Sequence, residues 1–130
     1  MKIHIASDHA GFELKEKLIP YLKELGHEVN DFGPSSYDKN DDYPDFIRPL
    51  ALAVAENTDD RGIILGKSGQ GEAMCANRVK GVRAAVFYGG NKELLKLSRE
   101  HNDANVLAVG AGFVTEEEAK EIIKESLNYG

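Results

Sequence analysis

The residues best placed to do chemistry lie in Gly62–Asn77, which reads GIILGKSGQGEAMCAN. Its first four residues are apolar or small and predict a buried strand, and a helix-compatible stretch begins at Glu72. The glycines between the two let the backbone come close to a small ligand. The helix would turn its first free N–H groups and its positive dipole end towards this loop. The stretch therefore predicts a site for an anion or an oxyanion.

Lys67, Ser68 and Glu72 supply the chemical groups of this loop. The helix dipole would favour the ionised carboxylate of Glu72, which would then be ready to take a proton at neutral pH. An ordinary glutamate in a first helical turn fits the position equally well. A plain strand-to-helix turn is the alternative for the loop as a whole, but the polar side chains favour a functional site.

Two familiar phosphate-binding patterns do not fit the loop. A P-loop needs glycine where this chain has Arg61, and the residues that precede Lys67 read as a strand. A dinucleotide fingerprint that starts at Gly69 would need a third glycine at Met74 and should follow the first strand. The sequence therefore does not predict a nucleotide site here.

The histidines and the cysteine differ in what their positions indicate. His9 follows the first strand in a polar turn, where a functional role is favoured, whereas His4 lies inside that strand and is expected to be structural. His101 ends a predicted helix, where a charged imidazole would interact favourably with the helix dipole, and sequence alone slightly prefers that explanation. Cys75 is expected to be a packed, inert thiol.

The elements that must position these groups alternate regularly along the chain. Apolar runs predict strands at 2–6, 27–32, 62–65, 82–87 and 105–109, and helical periodicity follows each of them, at 10–25, 43–57, 72–78, 91–101 and from a Thr115–Glu118 capping box onwards. The segment 33–42 reads as a loop. This order predicts an α/β, three-layer, Rossmann-like fold with a five-stranded parallel sheet and helices on both faces. Right-handed crossovers would bring Asp8, His9 and the Gly66–Gly71 loop to one edge of the sheet.

The bulk composition limits the class of protein. A length of 130 residues and a hydrophobic content of 42% predict one domain, 1–130, with a substantial core. The net charge of −6 argues against a nucleic-acid partner. A single cysteine, the absence of a long apolar run and a first strand that begins at residue 2 predict a cytoplasmic protein with no membrane partner.

Several blocks of the sequence resemble the ribose 5-phosphate isomerase B family, which also includes galactose 6-phosphate isomerase subunits and allose 6-phosphate isomerases. The resemblance covers nearly the whole chain, in order and at the family's spacing. The blocks are Ser7–Lys15 (SDHAGFELK), Asp42–Asp45 (DYPD), the Gly66–Asn77 loop and helix, Gly81–Ala85 (GVRAA) and His101–Leu107 (HNDANVL).

The resemblance implies an aldose–ketose isomerase that uses no metal and no other cofactor. It implies a homodimer, with a tetramer as the alternative assembly, in which each active site draws residues from both subunits. Many members place a cysteine base directly after the central strand, where this chain has Gly66. The chain resembles instead the subgroup whose base is the glutamate of the loop, here Glu72.

The same residue-by-residue comparison implies roles for the other candidates. Asp8 and His9 would contact the substrate, and Asn102 would bind the sugar. His101 would assist the opening of the sugar ring. The loop N–H groups would form an oxyanion hole around the reacting carbonyl, and the loop residues are Lys67, Ser68, Gly69, Gln70 and Gly71.

The most favoured reaction is the interconversion of ribose 5-phosphate and ribulose 5-phosphate through a cis-enediolate. An isomerase of another sugar, such as allose or galactose 6-phosphate, and a non-catalytic binding or partner subunit are the alternatives. Gly112 stands where the family usually has an arginine, and two further phosphate-binding arginines of the family would fall after Gly130. We therefore expect weak binding of the phosphate group, for which Lys67, Arg83 or His9 would substitute poorly.

Overall fold

The computed structural model describes residues 1–36, 44–57 and 59–128. Its strands are β1 (Lys2–Ser7), β2 (Glu28–Asp31), β3 (Arg61–Gly66), β4 (Ala84–Phe87) and β5 (Val106–Gly110). Its helices are α1 (Phe12–Glu24), α2 (Pro44–Glu56), α3 (Gln70–Asn77), α4 (Glu93–Asn102) and α5 (Glu116–Asn128). A single 3₁₀ turn, His9–Gly11, precedes α1.

The five strands form one parallel sheet in the order β2-β1-β3-β5-β4. The predicted α/β fold with a five-stranded parallel sheet is therefore confirmed. Every strand runs into its helix at the same edge, which we call the carboxyl edge. The register places Ser7 opposite Leu65 and Gly66 opposite Gly110, so the ends of β1, β3 and β5 are adjacent at this edge.

Two apolar layers hold the helices on the sheet. One face packs against α1, α4 and α5 through a cluster that includes Leu18, Leu95 and Ile122. The opposite face packs against α2 and α3 through a cluster that includes Leu50 and Ala76. Both faces of the sheet are buried, which explains why β3 and β5 read as continuous apolar runs rather than as alternating patterns.

The boundaries of some elements differ from the predictions. β4 begins at Ala84 rather than at 82, because the residues before it form turns in which the Val82 N–H bonds to the Val79 carbonyl at 3.1 Å. The capping box of α5 is confirmed: the Glu118 N–H donates to Thr115 Oγ1, and the Thr115 N–H donates to Glu118 Oε1, both at 3.1 Å. Most of the predicted loop 33–42 lies outside the described residues. Within the described ranges, no helix combines the length and apolar character needed to cross a bilayer.

Candidate active site

The loops that leave β1, β3 and β5 are held together at the carboxyl edge by backbone hydrogen bonds. The Asp8 N–H donates to the Leu65 carbonyl at 3.0 Å, and the Ala111 N–H donates to the Gly66 carbonyl at 2.6 Å. Asp8, His9, the loop from Lys67 to Gly71 and Glu72 all lie at this edge. The structure therefore brings eight of the ten predicted site residues to one rim.

The carboxylate of Glu72 lies directly over Gly66. Glu72 is only 5% exposed, although it sits in the first turn of α3. A Cβ added to Gly66 would overlap the carboxylate atoms of Glu72, so glycine at this position leaves the space that the acid occupies. The end of β3 and the start of α3 thus form the pocket that holds the carboxyl group of Glu72.

Burial of Glu72 is the main cause that raises the pKa of its carboxyl to about 7, and a hydrogen bond to the Asp8 side chain together with the charge of Asp8 adds to the effect. A backbone hydrogen bond to Glu72 acts in the opposite direction. The dipole argument predicted a carboxylate held in its ionised form. It was wrong on the net effect, because desolvation and a second carboxylate outweigh the helix terminus.

The loop between β3 and α3 makes a sharp reversal at Gly69. Its φ of +81° is a left-handed conformation that favours glycine, and a Cβ there would lie 3.3 Å from the Ala108 carbonyl group and from the Gly110 N. Ser68 Oγ accepts the Gln70 N–H at 3.3 Å, and the Gly69 carbonyl accepts the Ala73 N–H at 3.0 Å. The first N–H of α3 is therefore capped by Ser68, and the first turn of the helix lies at the rim beside the carboxylate of Glu72.

A buried lysine that sequence reasoning did not single out supports the same rim. Lys15 is fully buried, and its Nζ donates to both carboxylate oxygens of Asp31 at 3.0 and 2.9 Å. Asp31 also accepts the Gly33 N–H at 2.8 Å, and the Gly33 carbonyl accepts the Ser7 N–H at 3.0 Å. A lysine at helical spacing from Leu18 on the apolar face of α1 was the available signal.

His101 and Asn102 lie elsewhere in the chain. They form the last turn of α4, which returns to the opposite edge of the sheet, the amino edge, just before β5 begins. Both residues are exposed. The structure does not bring them to Glu72 within one chain, as expected if each site draws residues from two subunits.

The remaining candidates have structural surroundings. His4 is buried, and its Nε2 lies 2.7 Å from Asp60 Oδ2, as expected for a structural histidine. Cys75 is half-buried on α3. In the part of the chain that the structure describes, no three His, Cys, Asp or Glu side chains come together in an arrangement that could hold a metal ion.

Comparison with known proteins identifies the family. The family described as Ribose/Galactose Isomerase matches residues 3–129. The chain belongs to this family. Ribose-5-phosphate isomerase B of Mycolicibacterium paratuberculosis is 42% identical over 123 residues, which cover 95% of this chain and 76% of that protein. The probable ribose-5-phosphate isomerase B of Mycoplasma genitalium is 43% identical over 126 residues, or 96% of this chain and 82% of that protein.

Solved structures of family members have the same fold. The crystal structure of ribose-5-phosphate isomerase B from Mycoplasma genitalium with bound ribulose-5-phosphate superposes with a TM-score of 0.93 at 42% identity, covering 99% of this chain and 84% of that one. The enzyme from Clostridium thermocellum gives a TM-score of 0.91 at 43% identity, covering 98% and 84%. The predicted family is confirmed.

Proposed function

We propose that residues 1–130 form one sugar-phosphate isomerase domain that interconverts ribose 5-phosphate and ribulose 5-phosphate. The observation that carries the proposal is the buried carboxyl of Glu72 at the carboxyl edge, with a pKa of about 7, in a chain of this family. A general base works best when its pKa lies near the operating pH. The similar proteins from Mycolicibacterium paratuberculosis and Mycoplasma genitalium carry the name of this activity.

Glu72 moves the proton between the two carbons. Its carboxylate takes the proton from C2 of the open-chain aldose, the C2 electrons form the C1–C2 double bond, and O1 becomes an oxyanion. The protonated Glu72 then delivers the proton to C1. A net proton shift from O2 to O1 completes the ketose. A pKa near neutral pH suits Glu72 both to take this proton and to return it.

The loop stabilises the negative charge that develops on O1. The N–H groups of the first turn of α3 have no carbonyl acceptor within the helix, and those that follow Gln70, whose N–H donates to Ser68 Oγ, would face the substrate. Donors fixed before the reaction stabilise an enediolate without reorganising during the step. Lys67, exposed at the beginning of the loop, adds a positive charge beside the rim, and Asp8 and His9 line the rim from the side of β1.

Glu72 rather than a cysteine is the base in this proposal. A side chain at position 66 would occupy the space of the Glu72 carboxyl, and glycine at this position leaves that space to the carboxyl. Cys75 lies one helical turn further along α3 and is half-buried. These two observations support the glutamate-base subgroup.

The second half of the site comes from a second copy of the chain. His101 and Asn102 are exposed at the amino edge, and a dimer that packs this edge against the carboxyl edge of the partner would complete the site. His101 would then assist the opening of the furanose, and Asn102 would bind the sugar. One chain carries the proton-transfer half of a site and the ring-opening half of another.

The decisive experiment compares sugar phosphates and base variants. The purified chain should isomerise ribose 5-phosphate with a higher kcat/KM than allose or galactose 6-phosphate. Glu72→Gln, which keeps the shape of the side chain, should lower kcat by a factor of about 10² to 10⁴ with little change in binding. Cys75→Ala, the matched control on the same helix, should keep kcat.

Two results would overturn parts of the proposal. A higher kcat/KM for a hexose phosphate would change the substrate. Loss of activity in Cys75→Ala with retention in Glu72→Gln would reverse the assignment of the base.

A further inference from the structure

The turn that follows α4 has an unusual backbone conformation. Asp103, the residue after Asn102, has φ +48° and ψ +46°, and it is the one non-glycine residue with positive φ among those that the structure describes. The Asp103 N–H donates to the Arg99 carbonyl at 3.2 Å, and the Ala104 N–H donates to the Ser98 carbonyl at 3.0 Å. These bonds end the helix sharply at this residue.

Two arginines hold this turn, Arg83 from the turn before β4 and Arg99 from α4. Arg83 donates from Nε to the Asp103 carbonyl at 2.7 Å and from a terminal nitrogen to Asp103 Oδ2 at 3.0 Å. Arg99 donates to Asp103 Oδ1 at 3.0 Å and to the Ala104 carbonyl at 2.6 Å. Both oxygens of the carboxylate are therefore engaged, each by a different guanidinium group.

Arg83 is itself fixed to the core. Its N–H donates to the side-chain oxygen of Asn105 at 2.8 Å, and both Arg83 and Asn105 donate from their side chains to the Gly81 carbonyl, at 3.2 and 2.9 Å. Asn105 is buried at the start of β5. The turn thus connects to the sheet through a continuous set of hydrogen bonds. Single exposed ion pairs add little to the stability of a protein. A planar guanidinium group that donates to several acceptors can nevertheless fix the conformation of the turn.

We propose that Asp103, clamped by Arg83 and Arg99, is a positioning residue that fixes His101 and Asn102 for entry into the partner's active site. The inference rests on the proposed function, which assigns ring opening to His101. Both residues precede the clamp directly and are exposed, so their own chain gives them little other support. A group that acts across a subunit boundary must already hold its orientation, because a small misplacement lowers the rate by about a hundredfold.

Aspartate suits this position for two physical reasons. Aspartate and asparagine adopt left-handed backbone conformations more readily than most residues with a side chain. The carboxylate also offers two charged acceptors, which asparagine does not. Asp103→Asn therefore keeps the backbone preference and the size of the side chain, and it removes the charge that holds the two arginines.

The test separates ring opening from proton transfer. Ribose 5-phosphate enters as a closed furanose, whereas ribulose 5-phosphate is open-chain, because phosphate blocks the hydroxyl that would close its furanose. In D₂O, exchange of the C1 proton of ribulose 5-phosphate needs Glu72 but no ring step. Asp103→Asn should lower kcat for ribose 5-phosphate isomerisation by about tenfold to a hundredfold. At saturating ribulose 5-phosphate it should leave the exchange rate within about threefold of the wild type.

Controls distinguish the clamp from a general loss of structure. Arg83→Lys, which keeps the charge but loses the planar fork, should show the same split between the two assays to a smaller degree. Glu100→Gln, which removes the neighbouring Lys96–Glu100 ion pair on α4, should change neither rate. Equal losses in both assays, or no loss in either, would overturn the proposed positioning role of Asp103. A wild-type chain that neither isomerises nor exchanges would overturn the proposed function and the clamp with it.

Discussion

Gly66→Ala is a stringent test of how the proposed base is held. An added methyl group at the end of β3 would overlap the carboxylate of Glu72, so the two cannot keep their positions together. The backbone of Gly66 does not have a positive φ, and alanine is therefore acceptable to the strand itself. The substitution acts on Glu72 through space, without changing its chemistry.

The expected magnitude follows from that overlap. A base moved out of its pocket no longer reaches the substrate, and the loss of a general base costs about 10² to 10⁴ in kcat. The overpacked site should also cost about 1–3 kcal/mol of the free energy of unfolding. The effect on kcat should thus equal that of Glu72→Gln, while the protein still folds.

Gly62→Ala is the matched control, because it adds the same methyl group to the same strand at its other end. There the new Cβ would lie 3.0 Å from both Leu50 Cδ2 and Val106 Cγ2, so it too crowds its neighbours. We expect Gly62→Ala to lower the thermal midpoint Tm and to leave kcat nearly unchanged.

Steady-state kinetics with ribose 5-phosphate and thermal unfolding followed by circular dichroism measure the two effects. A Gly66→Ala variant that keeps kcat within about threefold of the wild type would refute the reasoning. In that case the carboxyl of Glu72 either works from another position or is not the base.

Three further predictions concern pH, assembly and the phosphate. Glu72 must be ionised to take a proton, and burial raises its pKa to about 7. The value of kcat/KM should therefore be half of its maximum near pH 7 and should fall about tenfold for each pH unit below that. Asp8→Asn removes a hydrogen bond and a negative charge that raise this pKa, so the acid limb of the profile should move to lower pH. An acid limb that does not move would show that Asp8 does not affect the pKa of the base. Mixing inactive Glu72→Gln and His101→Ala chains should restore about a quarter of the sites when subunits exchange at random, because each mixed dimer contains one intact site. Demonstrated exchange without returning activity would contradict the shared site. Gly112→Arg should lower KM for ribose 5-phosphate about tenfold through charge-assisted hydrogen bonds, because Gly112 is exposed and a Cβ added there would lie 3.0 Å from Lys67 Cγ. An unchanged KM would show that no phosphate lies near this turn.

The fold was predictable because its determinants are local. Each helix carries an apolar face at helical spacing, each strand is a short apolar run, and glycines separate them, so the alternation defines a parallel sheet. The start of α3 was less predictable. The helix begins at Gln70 rather than at Glu72, because the left-handed Gly69 lets the chain turn earlier.

The candidate site was predictable only where its signal lies within one stretch of sequence. The position of Glu72 after the glycine-rich loop was such a signal. Its raised pKa depends on burial and on Asp8, which is 64 positions away in sequence, and neither can be read from a window of residues. The turn at Asp103 likewise depends on Arg83, which lies 20 positions away in sequence, in the turn before β4.

The shared space above Gly66 also constrains how this enzyme family could have changed its base during evolution. Under the proposal that Glu72 is the base, a lineage that passes from glutamate at position 72 to cysteine at position 66 meets a cost at either first step. A thiol gained first would displace the Glu72 carboxylate from its place over Gly66. A glutamate lost first would remove the proposed base. The two changes would then be favourable only together, which is reciprocal sign epistasis between two positions whose side chains compete for one volume. Reconstructed ancestors near such a transition should therefore be either poorly active or already changed at both positions.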